Sequence, residues 1–403
     1  MALLVQKFGG TSVGTTERIE AVAELIIRTV QAGHKVIAVV SAMAGETNRL
    51  LGLAQRIDIK ASARELDVLA ATGEQVTVAL LAIALVKRGY PAVSLLADQI
   101  CIHTDNKFGK ARIEQVDTAR LQQELEQGHI VVAAGFQGRD IEGNLTTLGR
   151  GGSDTSAVAI AAAVKADECQ IYTDVDGVYT IDPRICSGAR RLAQIPFDDM
   201  LELASVGAKV LHSRSVEYAG RFRVPLRVLS TFRPDAGTLM TYDDNLGPLG
   251  GISGIACQQG LTFLHVNDLR QSDFCSLLNL LAERHVETDM VQQDTQSNGL
   301  LRVQVAIVGH DWTQVADDIQ NLLKNCQGAA HRIQSNLAKL SVVGSAMGTQ
   351  ADVAGRIRQL LKQLNIQIWG MLQTDTRFSV LMAPELVEAA AAKLHQVLFG
   401  SDN

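Results

Sequence analysis

Short apolar segments that run directly into glycine-bearing turns recur through the first half of this chain, and they restrict it to a sheet whose strand ends face anions. The most marked is VQKFGGTSVG, Val5 to Gly14, where an apolar strand delivers Lys7 into Gly9, Gly10 and two hydroxyl residues. Glycine permits turns whose successive N–H groups converge on phosphate oxygens, and a fixed ammonium beside them neutralises a transferring group. An ordinary strand-to-helix turn would have the same residues, so this segment alone does not decide the matter.

A second glycine-rich segment, TTLGRGGSDTS from Thr146 to Ser156, leads into the alanine-rich stretch Ala157 to Ala166, which reads as a helix. Its unpaired N-terminal amides and positive dipole end favour an anion. Ser153 and Asp154 can cap that helix or hold a catalytic lysine. Arg150, a bidentate fork for carboxylate or phosphate set between glycines, exceeds what a cap needs.

Between these turns lie SAMAGETN, Ser41 to Asn48, after the apolar strand Val36 to Val40, and TGEQV, Thr72 to Val76, ahead of the apolar run Thr77 to Val86. Both read as small polar groups at the ends of hydrophobic elements, where an open α/β sheet forms its ligand crevice. Glu74 is either a first-turn carboxylate or the partner of a substrate ammonium. In CQIYTDVDGVYTIDPR, Cys169 to Arg184, a strand ends at Thr173 and Asp174, placed to contact a nucleotide, with Arg184 for its phosphates. Lys209, in SVGAKVL, is a further phosphate candidate.

KFGGTSVG, SAMAGETN, TGEQV, GFQG, TTLGRGGSDT, TDVDGVYTIDPR and GAKVL, in this order over residues 1–230, resemble the aspartate kinases of the amino-acid kinase superfamily. The resemblance implies an α/β fold: a three-layer kinase domain with a mainly parallel sheet over residues 1–240, then two ferredoxin-like α+β units of ACT type. These are expected at 261–330, and at 252–258 plus 336–403. It implies transfer of the ATP γ-phosphoryl group to the side-chain carboxylate of L-aspartate, an early step of lysine, threonine and methionine biosynthesis. By the same resemblance Lys7, with the Gly9 and Gly10 amides, stabilises the phosphoryl group and Asp154 orients Lys7. Ser41, Thr47 and Ser153 position the substrate, Glu74 pairs with its ammonium and Arg150 holds a carboxylate. Thr173, Asp174, Tyr179, Arg184 and Lys209 serve the nucleotide, and Mg²⁺ is held through ATP phosphates and water. A catalytically silent amino-acid sensor, or a kinase for a related acidic amino acid, stays open.

Composition agrees with that reading. Of 403 residues, 47% are hydrophobic and only 4% aromatic, which suits an alanine- and valine-rich α/β protein of two or three domains. The net charge of -6 and the lack of basic runs argue against a nucleic-acid partner. The apolar run Val76 to Val86 reads as too short to span a bilayer, and no signal peptide is expected ahead of the Lys7 strand. Six cysteines without a CxxC pair read as reduced thiols of a cytoplasmic protein.

A linker is expected where Pro, Gly, Asp and Asn collect, Arg233 to Gly251. Beyond it, strand, helix, two strands and helix occur twice, the rhythm of ferredoxin-like units. The resemblance implies subunit pairing through these ACT-like units and a possible amino-acid effector. Several of the family's effector-site residues differ, however. Gln271 and Ser272 stand for a Pro-Gly turn, Asp294 follows Gln293 in place of an Asn, and Ala346-Met347 replaces Gly-Met. Ala351-Asp352 replaces a second Pro-Gly, and Leu372 to Thr376 replaces a Ser-Thr-Ser-Glu-Ile element. Weakened or altered feedback by lysine or threonine follows as an expectation.

Overall fold

The computed structural model describes residues 1–403 except 209, 234–235, 243–250, 285, 327, 346, 348–350 and 401–403, and the side chains of 351 and 352. The expectations placed on Lys209, Ala346, Ala351 and Asp352, and on much of the 233–251 linker, lie outside the described residues. Two compact units are present. The first comprises Met1–Val178, Arg191–Ser205 and Lys209–Leu246; the second comprises Tyr179–Arg190, Val206–Ala208 and Gly247–Asn403.

The first unit begins with β1 (Leu3–Phe8), α1 (Thr16–Gln31), β2 (Lys35–Val40), α2 (Glu46–Ile57), α3 (Ala63–Lys87), β3 (Ala92–Leu95) and α4 (Ala97–Ile100). It continues through β4 (Ile102–Thr104), β5 (Ile113–Val116), α5 (Ala119–Glu126), β6 (Ile130–Ala134), β7 (Gln137–Arg139), β8 (Leu145–Thr147) and α6 (Gly152–Val164). It closes with β9 (Glu168–Thr173), β10 (Gln194–Pro196), α7 (Phe197–Ser205), α8 (Ser213–Phe222), β11 (Leu226–Ser230) and β12 (Thr238–Thr241).

Eight of these strands form one sheet in the order β10-β12-β11-β9-β1-β2-β6-β3. The pairs β1·β2, β1·β9, β2·β6, β3·β6, β9·β11 and β10·β12 are parallel, and β11·β12 is antiparallel. Parallel strands covered on both faces have no polar face to alternate with; accordingly Val36 to Val40 and Ile130 to Ala134 are buried throughout. Helix α1 shows the complementary pattern. Thr15 caps it by accepting from the Arg18 amide, and Ile19, Val22, Ala23, Ile26 and Ile27 form one buried stripe at three- and four-residue spacing. A smaller four-stranded sheet, β5-β4-β7-β8, has no counterpart in the sequence reading.

Two expectations are corrected at α3. TGEQV is not a polar turn before a helix: it lies inside the 25-residue α3, which Ser62 caps through the Glu65 amide. The apolar run after it is therefore the second half of a helix that, by length and composition, could cross a membrane, the one such helix among the described residues. Its residues show a different use. Asp67 and Glu74 are each 3% exposed, while Leu81 and Leu85 are wholly buried against the sheet core. A helix apolar on most sides carries no clear 3.6-residue stripe, so its start was not visible in the pattern.

The second unit contains β13 (Gly254–Leu269), α9 (Gln271–Glu283), β14 (Thr288–Thr295), β15 (Leu301–Val308), α10 (Gly309–Asn325) and β16 (Ala330–Val343). After these come α11 (Ala351–Gln363), β17 (Gly370–Gln373), β18 (Arg377–Met382) and, behind a 3-10 turn at Pro384–Leu386, α12 (Val387–Phe399). Its strands make one antiparallel sheet, β14-β15-β13-β16-β18-β17. The two ferredoxin-like rhythms thus share long central strands. Gly254 to Gln258 of β13 pair with Val343 to Lys339 of β16, whereas Leu261 to Val266 of β13 pair with Val308 to Val303 of β15.

One buried charge group lies in this sheet. Lys339 on β16 is 0% exposed and ion-paired to Asp289 on β14, whose other carboxylate oxygen accepts from Arg377 on β18 at 3.0 Å. Breaking a buried ion pair by removing one partner typically destabilises by about 3–5 kcal/mol. Asp289→Ala should weaken the second unit by that order, and adding Lys339→Met should recover part of the loss. Hydrogen exchange of the β16 amides in the full chain measures both effects; unchanged protection in Asp289→Ala would show the pair to be dispensable.

Candidate active site

All of the site described here lies in the first unit. Strand β1 sits between β2 and β9, with Lys7 in register with Val39 and Ile171, so its lysine leaves the sheet at the middle of a parallel array. The following turn is held by Ser12 and Val13 amides donating to the Gly9 carbonyl, at 2.9 and 3.3 Å. Both glycines of the turn are closely approached. A Cβ on Gly9 would stand 3.3 Å from Lys7 Nζ, and one on Gly10 would stand 3.0 Å from the Ala42 carbonyl oxygen.

Lys7 Nζ lies 2.6 Å from Asp154 Oδ1, with both side chains largely shielded from solvent. Asp154 belongs to the first turn of α6, whose N-cap is Gly151 at φ +66 with no side-chain cap. The ion pair therefore ties the lysine of the first glycine turn to the positive end of a helix that follows the second.

Glu74 reaches the same place from α3. Its Oε1 accepts from the Ala42 amide at 2.9 Å, while Oε2 is buried with no partner among the described residues. Burial pushes this carboxyl up to about 7, against the opposing pull of the Ala42 amide. Close approach of α3 to the Ser41–Gly45 loop needs Gly73: a Cβ there would lie 2.7 Å from the Ala42 Cβ.

These groups surround a cleft of about 400 Å³ lined by Lys7, Gly10, Ser41, Thr47, Glu74, Ser153 and Asp154, together with Gly149, Gly151 and Gly152. Seven residues singled out in the sequence thus meet in one cavity, although they come from four separate segments. Gly9 adjoins it through Lys7, but its amide donates to the Tyr172 carbonyl at 3.3 Å. Thr173 and Asp174 stand at the C-terminal end of β9, one strand away, with Thr173 Oγ1 donating to Asp174 Oδ1 at 3.1 Å. Arg150 is exposed in the turn beside the cleft and is not among its lining residues. Tyr179 and Arg184 fall in Tyr179–Arg190, a segment of the second unit, where Arg184 Nη2 pairs with Asp182 Oδ2 at 2.6 Å.

Sequence reasoning missed Ala42, Met43, Ala44, Gly45 and Phe136, which complete the lining. Phe136 adopts φ +68 between Gly135 and Gln137, and Gln137 Nε2 donates to the Ala71 carbonyl of α3 at 2.8 Å. Nothing in GFQG marks this, since a bulky residue at positive φ is an outlier that sequence does not announce.

The arrangement presents a lysine, open helix-end amides and one unpaired carboxylate oxygen to a shared space. It can bring two anions together and hold a cationic group next to them. Among the described residues no group of three His, Cys, Asp or Glu side chains could hold a metal ion.

Comparison with known proteins agrees with this geometry. The model of the amino acid kinase family matches residues 2–230. An aspartate kinase of Stutzerimonas stutzeri is 48% identical over 402 residues, covering 98% of this chain and 97% of its own length. An aspartokinase of Pseudomonas aeruginosa is also 48% identical, over 401 residues with the same coverage. Among solved structures, E. coli aspartokinase III with aspartate and ADP, in its R-state, superposes with a TM-score of 0.84 at 26% identity, over 98% of this chain and 100% of that one. The T-state of that enzyme, with lysine and aspartate, gives a TM-score of 0.74 at 27% identity over 98% and 99% of the two chains. The chain therefore belongs to the aspartate kinases of the amino acid kinase family.

Proposed function

We infer that this chain is an aspartate kinase, transferring the γ-phosphoryl group of ATP to the β-carboxylate of L-aspartate and giving 4-phospho-L-aspartate and ADP for amino-acid biosynthesis. The observation that carries the site assignment is the buried, unpaired Oε2 of Glu74 in the same cleft as the Lys7–Asp154 pair. A free amino acid supplies the ammonium that such an oxygen lacks. The β-carboxylate, with a reference pKa of about 3.9, is ionised at neutral pH and needs no general base. The bond formed joins a β-carboxylate oxygen to the γ-phosphorus, and the bond broken is the one from that phosphorus to the β,γ-bridging oxygen, which leaves with ADP.

The residue roles proposed here are those the resemblance implies, supported for Lys7, Gly10, Ser41, Thr47, Glu74, Ser153 and Asp154 by their place in the cleft. Lys7, fixed by Asp154, stabilises charge on the equatorial phosphoryl oxygens, and the Gly10 amide and the N-terminal amides of α6 extend that field. Ser41, Thr47 and Ser153 accept or donate to the substrate, and Arg150 holds its α-carboxylate. Thr173 and Asp174, next to the β1 turn, serve the nucleotide. Mg²⁺ fits this donor set only as an ion carried by the nucleotide phosphates and water, because no protein cage is present among the described residues. When bound, it neutralises phosphate charge.

Hydroxylamine trapping of the acyl phosphate tests the acceptor. Aspartate should react, glutamate poorly, and N-acetylated acceptors not at all, because acetylation removes the charge that Glu74 pairs with. Lys7→Ala should lower kcat by roughly 10²–10³-fold as a preorganised stabiliser is lost. Equal turnover of free and N-acetylated aspartate would overturn the acceptor assignment.

Glu74 makes affinity and stability depend on pH in opposite senses. Below about pH 7 the empty site holds a neutral carboxyl, so the Kd for aspartate should worsen nearly tenfold per unit of pH lost and level off above pH 7. Its folded-state pKa lies above the ordinary value of 4.5, so the folded state binds the proton more tightly and ligand-free stability falls as pH rises from 4.5 to 7. Glu74→Gln should then stabilise the ligand-free first unit at pH 8 by about 2–4 kcal/mol and change nothing near pH 4. Calorimetry at the two pH values checks this; equal shifts at both would remove the titration from the explanation.

The second unit is proposed to pair subunits, and the free state of all six cysteines suits a cytoplasmic protein. Lysine binds E. coli aspartokinase III, but this chain departs from the family at the effector residues noted above, leaving Gln293, Asp294 and Asp375 as polar candidates for a different effector. Steady-state assays with millimolar lysine or threonine should show weak inhibition or none. Strong inhibition at micromolar concentration would show that these substitutions leave recognition intact.

A further inference from the structure

Glu74 is not the only buried carboxylate on α3. Asp67, seven residues earlier and two turns away on the same helical face, is 3% exposed and has no cationic partner among the described residues. Instead it gathers three donors. Its Oδ2 accepts from the Gly109 amide at 2.9 Å and the Thr147 amide at 2.8 Å, and its Oδ1 accepts from Thr147 Oγ1 at 2.7 Å.

Those donors belong to the segment that leads into one wall of the cleft and to the loop packed against that segment. Thr147 ends β8, and the next residues form the turn whose Gly149, Gly151 and Gly152 line the cavity. Gly109 supports the turn from beneath: a Cβ on Gly149, at φ +76, would lie 2.9 Å from the Gly109 carbonyl oxygen. The Ala111 amide donates to the Thr147 carbonyl at 2.9 Å, closing the link between the two segments. One buried side chain on α3 thus fixes both the turn and its support, while α3 itself carries Glu74.

We propose that Asp67 is a positioning residue for aspartate binding, setting the distance between the Gly149–Gly152 turn with its Arg150 and the Glu74 carboxylate. The inference rests on the reading that Arg150 and Glu74 hold the two charged ends of the amino acid. Three short hydrogen bonds on a shielded carboxylate leave little freedom for relative sliding, and a displacement on the order of 1 Å in a substrate clamp is enough to cost about 100-fold.

Asp67→Ala should raise the KM for aspartate about tenfold or more while the KM for ATP changes by less than about threefold. Asp67→Asn should recover most of this, because the amide oxygen still accepts from the two backbone amides and the Thr147 hydroxyl can turn to accept. If Asp67→Ala does not fold, Thr147→Val, which removes only the hydroxyl donor, should raise the KM for aspartate by about threefold with ATP unaffected. A purely structural Asp67 would lower Tm and the active fraction and leave the KM for aspartate in place, which overturns the proposal. Arg150→Ala separates the two levels. If it raises the KM for aspartate and the Asp67 and Thr147 variants do not, the positioning role is wrong and the clamp stands. If Arg150→Ala leaves that KM unchanged, the clamp reading fails, and the proposal fails with it.

Discussion

The ion pair between Lys7 and Asp154 is the constraint on which the catalytic unit depends. It joins the end of a central parallel strand to the first turn of α6, and so brings together two glycine turns that lie some 140 residues apart in sequence. Each turn alone is an ordinary solution to leaving a strand or entering a helix. Held face to face by a 2.6 Å contact between largely buried groups, they set the lysine and the first turn of α6 at a defined separation. Asp154 also gives Lys7 a counter-charge in a shielded place, where an unpaired ammonium would be costly to hold.

Helix α3 supplies the opposite chemistry. A helix that is apolar around most of its surface nonetheless presents Asp67, the Ala71 carbonyl and Glu74 toward the site, bound respectively to Thr147 and Gly109, to Gln137 and to the Ala42 amide. Two of the three are fully engaged in structure. Glu74 alone keeps an oxygen unpaired, and the pKa near 7 is the electrostatic signature of that incomplete pairing. The ligand-free site thus has an incompletely paired carboxyl at one side and a fixed ammonium at the other, which suits a substrate that is both an ammonium and a carboxylate.

Most of the residues lining the cleft were legible in the sequence because their chemistry is local. Lys7 precedes its glycines directly, and Asp154 and Ser153 follow theirs. Asp67 was not legible, since its partners stand 42 and 80 residues away and nothing near it in the chain marks it. Glu74 was identified but misplaced, because α3 lacks the amphipathic stripe that would have revealed a helix starting at Ala63. The parallel sheet and the doubled rhythm of the second unit followed from runs and spacing. The assignment of 252–258 to the unit of 336–403 came only from the resemblance, and the unbroken run of β13 and β16 through both rhythms was not visible, for strand pairing across them is a long-range choice. The small β5-β4-β7-β8 sheet escaped notice because three of its strands have only three residues each.

The central claim is that a side-chain carboxylate oxygen of aspartate attacks the γ-phosphorus directly in this cleft. It is tested most directly with aspartate carrying ¹⁸O in its β-carboxylate. The acyl phosphate formed is cleaved at its carbonyl by hydroxylamine, and the released phosphate is weighed by mass spectrometry. Direct attack predicts one ¹⁸O per phosphate from β-labelled aspartate and none from aspartate labelled only in the α-carboxylate. Unlabelled phosphate from the β-labelled substrate, or label arriving from the α-carboxylate, would contradict the account.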